Sequence, residues 1–278
     1  MRATETAAEL GRRHPLQRLE APSKGFSGAL HVAGLISFYS SFKFLHDNPN
    51  QFNSSYGWHL QFLTIIGISI STLCFAFGLV ADILSSSSTS PTSPTNASAS
   101  SPCTLSDYFF TAKNYLSLIA APIEIVISIL YWGLRLVDTG LVVPPDLPLP
   151  PLGVDLCFHL VPAVVLTVDA ILLSPPWPSS PMNPQAPLLT LGISTGIAFA
   201  YWWWIEICYS HNGYYPYPIF ALLTTYQRIG LFTISGATMW VVGGALRALY
   251  AYVNGYEITE ALEKTQRARK MGSEGKWE

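Results

Sequence analysis

Residues 153–173, GVDLCFHLVPAVVLTVDAILL, form an apolar run that carries ionisable side chains within it. A helix needs about 20 apolar residues to cross the hydrocarbon core of a bilayer, and this run has that length. It nevertheless contains Asp155, His159 and Asp169, which steps of three and four residues place on one helix face. Ionisable groups at such depth are costly unless they face a protein interior or a water-filled space. This face is therefore the first candidate functional surface.

The composition of the whole chain is that of a membrane protein. Its 278 residues are 50% hydrophobic and only 12% charged, whereas soluble domains are about a quarter charged. Apolar segments of spanning length predict an all-α, polytopic bundle of six transmembrane helices. The expected spans are residues 26–44, 59–83, 108–136, 153–173, 188–209 and 229–252. They form one domain over residues 26–253, between tails at 1–25 and 254–278, with a Ser/Pro-rich loop at 85–102 expected to be disordered.

The positive charges predict the orientation of the bundle. Five Lys or Arg residues precede the first span and five follow the last, while the loops between carry almost none. By the positive-inside rule both termini are cytosolic, which requires an even number of spans. The protein is expected to reside in the endoplasmic reticulum or another endomembrane. The net charge of -2 gives no reason to expect a nucleic-acid partner.

The second and fourth predicted spans both enter from the lumenal side and carry polar groups at matched depth. Thr64 lies about five residues into the second span and His159 about six into the fourth, so each is roughly 7–10 Å below the lumenal surface of the core. Imidazole is a base that suits activation of a hydroxyl nucleophile. A stripe of small or polar residues turns Thr64 toward the bundle interior; it comprises Thr64, Gly67, Ser71, Cys74 and Gly78.

Structural interpretations of the same two residues stay open. A threonine in a membrane helix often bonds back to the carbonyl one turn earlier. A histidine inside a span also serves as a hydrogen bond between helices. Asp155, one turn before His159, is either the group that orients the ring or a wet interfacial carboxylate.

The remaining ionisable residues give weaker signals. His59, His159 and His211 would in principle form a three-histidine metal site, but no spacing rule requires it, so neither metal nor cofactor is expected. His31 lies toward the cytosolic side and is expected to be structural. The acids Glu124 and Glu206 have no obvious partner in the sequence. Two basic residues, Lys113 and Arg135, lie at the ends of the third span, where they can snorkel to the interface.

Several segments together resemble the androgen-induced gene 1/FAR-17a family. Residues 58–64, WHLQFLT, are similar to the start of that family's second helix. The third span matches through residues 121–122, AP, and 131–132, YW, and the fourth through His159 and Asp169. Residues 212–218, NGYYPYP, resemble the family's lumenal G…YP element, and Arg228 follows it. The likeness extends over residues 26–253, in order and at similar spacing.

The resemblance implies a membrane hydrolase that cleaves fatty acid esters of hydroxy fatty acids with a threonine nucleophile and a histidine. Carried onto this chain, these residues are Thr64 and His159. The partner is then a lipid ester taken from the bilayer, with Asn212 and Tyr215 as the exposed candidates for oxyanion donors. The alternatives are a non-catalytic lipid-binding or scaffold protein and a transporter, the latter weakened by the lack of paired broken helices. The sequence does not indicate the oligomeric state.

Overall fold

The chain is α-helical throughout the residues that the computed structural model describes, namely 17–85, 104–144, 147–175 and 186–254. No strand occurs within these ranges. The α-helices are α1 (Phe26–Asp47), α2 (Leu63–Leu84), α3 (Leu105–Val137), α4 (Leu152–His159), α5 (Val161–Val168), α6 (Ala186–Asn212), α7 (Ile219–Leu222) and α8 (Thr225–Asn254). Short 3-10 turns cover Gln51–Ser54, Trp58–Gln61 and Thr139–Leu141, and a π-helical turn covers Asp169–Leu173.

The helices confirm an all-α polytopic membrane architecture, although not the count of six spans. Within the described ranges, α2, α3, α6 and α8 are long and apolar enough to cross a bilayer. The pair formed by α4 and residues Val161–Leu173 is bent by 44° and makes a fifth if it is one span. Helix α1 has 22 residues but is more polar, with four serines and two histidines, and it is not among these helices.

The second span begins later than its hydropathy predicts. Residues Trp58–Gln61 form a 3-10 turn, Phe62 is extended, and α2 begins at Leu63 rather than near residue 59. The turn is set by Gly57, whose φ of 83° lies in the left-handed region that favours glycine. Thr64 is consequently the second residue of its helix, so no turn of α-helix precedes it.

Helix α2 packs against α1 on one side and against α3 on the other. All five residues of its small and polar stripe are buried, which confirms the prediction that this face turns inward. The stripe permits close packing, because a Cβ on Gly78 would lie 2.5 Å from the His31 ring of α1. A Cβ on Gly67 would lie 2.8 Å from Ile127 of α3.

The bend between α4 and α5 separates residues that the sequence places on one face. Pro162, near the start of α5, has no N–H to continue the hydrogen-bond ladder, so the helix breaks at Leu160. Asp155 and His159 lie before the break and Asp169 after it, and the structure places Asp169 in a different cluster. The prediction of a single ionisable face along residues 153–173 is therefore wrong.

Several expectations lie outside the described residues. They concern most of the N-terminal tail, the Ser/Pro-rich loop and the C-terminal tail.

Candidate functional site

Thr64 faces a buried tyrosine rather than its own helix backbone. Its Oγ1 is 3.4 Å from the hydroxyl of Tyr217, which lies in the segment between α6 and α7. Other hydroxyls of the same helix bond back to a carbonyl one turn earlier, as Thr72 does to Ile68 at 2.7 Å. Burial raises the pKa of the Tyr217 phenol, partly offset by its hydrogen bonds to Thr64 and Leu63. Tyr217 therefore stays protonated and retains a hydrogen to donate.

Thr64 and Tyr217 lie in the wall of an apolar cavity between the α2–α3 pair and the α6–α8 pair. The cavity encloses about 900 Å³ of space, its open end included. Its walls are otherwise aliphatic and aromatic, apart from a few hydroxyls. From the α2–α3 side it is lined by Leu63, Thr64, Ile123, Val126, Ile127, Leu130, Tyr131, Leu134 and Val142, and from the other side by Ile197, Ala198, Tyr201, Tyr217, Ile219, Phe220, Leu231, Phe232, Ser235, Gly236 and Met239.

Most hydroxyls in the cavity wall already have partners inside the protein. Tyr201 donates to the carbonyl of Gln61 at 2.9 Å, and Ser235 donates to the carbonyl of Leu231 at 2.9 Å. The Tyr131 hydroxyl accepts from Arg135 at 3.2 Å. The long contact between Thr64 and Tyr217 leaves these two hydroxyls best able to meet a ligand.

His159 is held by a buried carboxylate. Its Nδ1 lies 2.9 Å from Oδ1 of Asp155, which is fully buried and also pairs with Arg135 of α3. Asp155 is therefore the ring's partner and not a wet interfacial carboxylate. An Nδ1–H that donates to the carboxylate leaves Nε2 with its lone pair. Among the described residues, no hydrogen bond is formed by Nε2.

Tyr131 connects His159 to the cavity. The tyrosine ring lines the cavity, and the imidazole stacks on it with ring centroids 3.4 Å apart and planes 4° apart. Thr64 and His159 form no hydrogen bond with each other in the described part of the chain. The structure thus brings both residues to the surroundings of Tyr131 without bringing them into contact.

The packing of α2 on α3 places Thr64 level with Tyr131. The two helices are antiparallel, since Ser106 bonds to Ala81 near one end and Ser71 to Glu124 further along. Gly67 faces Ile127. In the predicted orientation, one helical turn from Gly67 toward the lumenal side reaches Thr64 on α2. The same step from Ile127 reaches Tyr131 on α3. The similar depth expected for Thr64 and His159 is compatible with this arrangement.

The two residues named from sequence as oxyanion candidates have partners away from the cavity. The Asn212 side chain bonds the backbone N–H and carbonyl of Tyr56 at 2.9 and 3.0 Å. Tyr215 donates to Glu206 at 2.9 Å, and burial, followed by the nearby Glu206 carboxylate, raises its pKa to about 12. Neither residue lines the cavity. Sequence reasoning missed Tyr217, although it belongs to the same NGYYPYP segment.

The histidines do not converge on a metal site. His59 lies 3.3 Å from Asn53, and His211 stacks on Tyr56. His159 is bonded to Asp155. Over the described ranges, no group of three or more His, Cys, Asp or Glu side chains is arranged to hold an ion.

A second polar cluster lies at the opposite end of α2 from Thr64. His31 lies between two carboxylates, with Nδ1 2.6 Å from Asp82 and Nε2 3.2 Å from Asp169. Lys113 also bonds Asp169, at 2.9 and 2.8 Å, and the hydroxyl of Ser174 at 3.0 Å. The Lys113 side chain is fully buried, so the prediction that it snorkels to the membrane interface is wrong. Its ion pair with Asp169 holds the ammonium inside the bundle.

The two acids without an obvious partner in the sequence also have partners in the structure. Glu124 accepts from Ser71 at 2.8 Å. Glu206 accepts from Trp202 and Tyr215, each at 2.9 Å, and lies 3.0 Å from Arg228. These contacts join neighbouring elements and do not line the cavity.

Comparison with known proteins agrees with this architecture. A UPF0641 membrane protein of Schizosaccharomyces pombe is 29% identical over 225 residues, which cover 80% of this chain and 89% of that protein. No solved structure matches. Residues 26–251 match the FAR-17a/AIG1-like protein family, a range that runs from the first residue of α1 to three residues before the end of α8. The chain is therefore a multi-pass membrane protein that belongs to the FAR-17a/AIG1-like family.

Proposed function

We propose that this protein is an intramembrane hydrolase of lipid esters, with Thr64 as nucleophile and His159 as general base. The observation that carries the proposal is the position of the Thr64 hydroxyl, next to Tyr217 in the wall of an otherwise apolar cavity. Such a cavity suits an amphiphile whose apolar chain is buried and whose ester lies at the hydroxyl. The resemblance to the family suggests fatty acid esters of hydroxy fatty acids as the substrates.

The Asp155–His159 pair supplies the base. Donation from Nδ1 to Asp155 holds the ring and stabilises the imidazolium that forms when Nε2 accepts a proton. Arg135 on the far side of the carboxylate fixes its position. The arrangement is the acid–imidazole half of a hydrolytic triad.

The reaction requires Nε2 to reach the Thr64 hydroxyl, directly or through one water. Tyr131 lines the cavity and lies against the imidazole, so the proposed mechanism requires this stacked pair to move on substrate binding until the two groups meet. Catalytic hydrogen bonds often tighten only in the substrate complex, so the separation in the free protein is compatible with the proposal.

The chemistry then proceeds in two halves. Thr64 Oγ1 attacks the carbonyl carbon and its proton moves to His159, while the Tyr217 hydroxyl donates to the oxyanion. The intermediate expels the alcohol, which takes the proton from His159, and leaves an acyl-threonine. Water then attacks this ester, again giving a proton to His159, and releases the fatty acid with the threonine restored. On the predicted orientation, with both termini cytosolic, this water enters from the lumen of the endoplasmic reticulum.

Paired variants in isolated membranes test the proposal. Fluorogenic esters of fatty acids with about 10 and 16 carbons and a fatty acid ester of a hydroxy fatty acid are the substrates, with protein abundance measured for each variant. Thr64→Ala should abolish turnover, and Thr72→Ala, whose hydroxyl only bonds its own helix, should not. His159→Asn keeps a donor for Asp155 but has no basic nitrogen, so it should also be inactive, whereas exposed His46→Asn should be active. Turnover by Thr64→Ala at the wild-type rate would refute the proposal.

A lipid-binding or scaffold function is the second candidate. It is favoured by the absence of a hydrogen bond between Thr64 and His159 in the described structure, because a cavity that only binds lipid needs no such contact. In that case wild type and both variants would bind lipid equally and none would hydrolyse any ester.

A further inference from the structure

We propose that the apolar cavity selects an acyl chain of about ten carbons, counted from the ester at Thr64. This inference rests on the proposed function for the position of the ester and adds the length of the chain. It follows from where the cavity ends, from its length, and from the lack of polar partners along it.

The cavity ends at a floor formed by Ile123, Ile197 and Met239. These are the lining residues furthest from Thr64 on α3, α6 and α8, respectively. They belong to one packed apolar cluster, in which Ile123 and Met239 are 3% and 5% exposed. No described residue beyond these three lines the cavity, and just past them a Cβ on Gly243 of α8 would lie 4.0 Å from Pro122 of α3. An acyl chain that enters beside Thr64 therefore ends against this floor.

The helical rise gives the distance from Thr64 to this floor. Tyr131, level with Thr64, is eight residues from Ile123 along α3, which corresponds to about 12 Å. On α8, Phe232 is seven residues from Met239, or about 10 Å. An extended chain advances about 1.2 Å per bond, so about ten carbons fill this distance.

The walls of the cavity also restrict the chemistry of the chain. The Tyr201 and Ser235 hydroxyls are already bonded to backbone carbonyls. A hydroxyl within the first ten carbons would find no partner there, and burial of an unpaired polar group is unfavourable. The acyl part of the ester therefore carries no polar substituent in the cavity, and any polar substituent belongs to the alcohol part outside it.

A binding experiment tests the length without requiring hydrolysis. Fatty acids of 6 to 18 carbons with a terminal diazirine are incorporated at one fixed mole fraction in nanodiscs that contain the wild-type protein, which cannot hydrolyse a free acid. Fixing the mole fraction removes the preference of long chains for the bilayer itself. After illumination, mass spectrometry measures the yield and the position of labelling.

We expect labelling at Ile123, Ile197 and Met239 to be greatest near ten carbons and to fall about tenfold or more by 16 carbons, because overfilling a packed site is unfavourable. Met239→Ala removes the end of an unbranched side chain and should move the maximum upward by about three carbons. Val241→Ala on the same helix is 59% exposed before substitution and is the matched control, which should not move it.

The outcomes separate this inference from the proposed function. The inference would be overturned if the yield of labelling at the floor did not depend on chain length. It would also be overturned if labelling spread over lipid-facing residues such as Ile129. Either result would count against selection of chain length by the cavity even if the wild type hydrolyses esters. A maximum near ten carbons that moves with Met239→Ala would support it even if no ester is cleaved.

Discussion

The buried pair of Lys113 and Asp169 gives the sharpest stability prediction. Both side chains are fully buried, and the ammonium lies 2.9 and 2.8 Å from the two carboxylate oxygens. Replacing Asp169 with leucine leaves the ammonium with the Ser174 hydroxyl and the face of the Phe110 ring, neither of which carries a compensating charge. Removing one member of a buried ion pair typically destabilises a protein by about 3–5 kcal/mol, and Asp169→Leu should lie at the upper end.

The reverse substitution should be milder because Asp169 has another partner. Lys113→Met leaves the carboxylate 3.2 Å from His31, which as an imidazolium can compensate its charge. We expect about 3 kcal/mol for this variant, the lower end of the same range. In Lys113→Met/Asp169→Leu neither charge remains, and the double variant should be more stable than the sum of the single effects predicts by at least about 2 kcal/mol.

Thermal unfolding in detergent, followed by the folded fraction on size-exclusion chromatography, measures these differences. At about 2–4 °C per kcal/mol, Asp169→Leu should lower Tm by roughly 10–20 °C. The matched control is Lys43→Met on α1, whose partner Asp47 is 46% exposed, so the change in Tm should be small. Additive effects of the two single substitutions would show that Lys113 and Asp169 do not stabilise each other and would refute the reasoning.

Three further predictions concern the site and the helix packing. Tyr217→Phe should lower ester turnover by about 10²-fold if its hydroxyl donates to the oxyanion, whereas Tyr215→Phe, outside the cavity, should retain activity; equal rates in the two variants would contradict this assignment. Gly78→Val should reduce the yield of folded protein, because a Cβ there would lie 2.5 Å from the His31 ring. The control Gly133→Ala should fold normally, because a Cβ at that position meets no atom within 4 Å. Size-exclusion chromatography in detergent measures both yields. Ester hydrolysis should persist in excess EDTA, and activity that EDTA removes and zinc restores would instead indicate a metal-dependent enzyme.

The sequence predicted the parts of the fold that depend on local pattern. The small and polar stripe of α2 faces inward, because it follows from helical spacing alone. The extents of α3, α6 and α8 agree with their apolar runs to within a few residues. The start of α2 was missed because, after the left-handed Gly57, the chain forms a 3-10 turn and an extended residue at Phe62 before the helix begins.

Pairing between distant charges was beyond sequence reasoning. Lys113 and Asp169 are 56 residues apart, and helix spacing says nothing about which helices are neighbours or at what level they meet. The length of a lysine side chain permits both an interfacial and an inward position, and only the carboxylate across the bundle decides between them. Tyr217 was missed for a similar reason, since its position depends on a loop rather than on a helical period.

The two polar clusters differ in a way that bears on function. In an apolar bundle each unpaired polar group is unfavourable, so a purely structural cluster should satisfy its members fully. The cluster around Asp169 does so, because both ring nitrogens of His31, the Lys113 ammonium and the carboxylates have partners. The His159 imidazole has a carboxylate on Nδ1 only, and the Thr64 hydroxyl makes one long contact to Tyr217. Hydrogen-bonding capacity left beside a cavity is what a reacting ester would use, and this contrast favours Thr64 and His159 over the fully buried His31 as the chemical site.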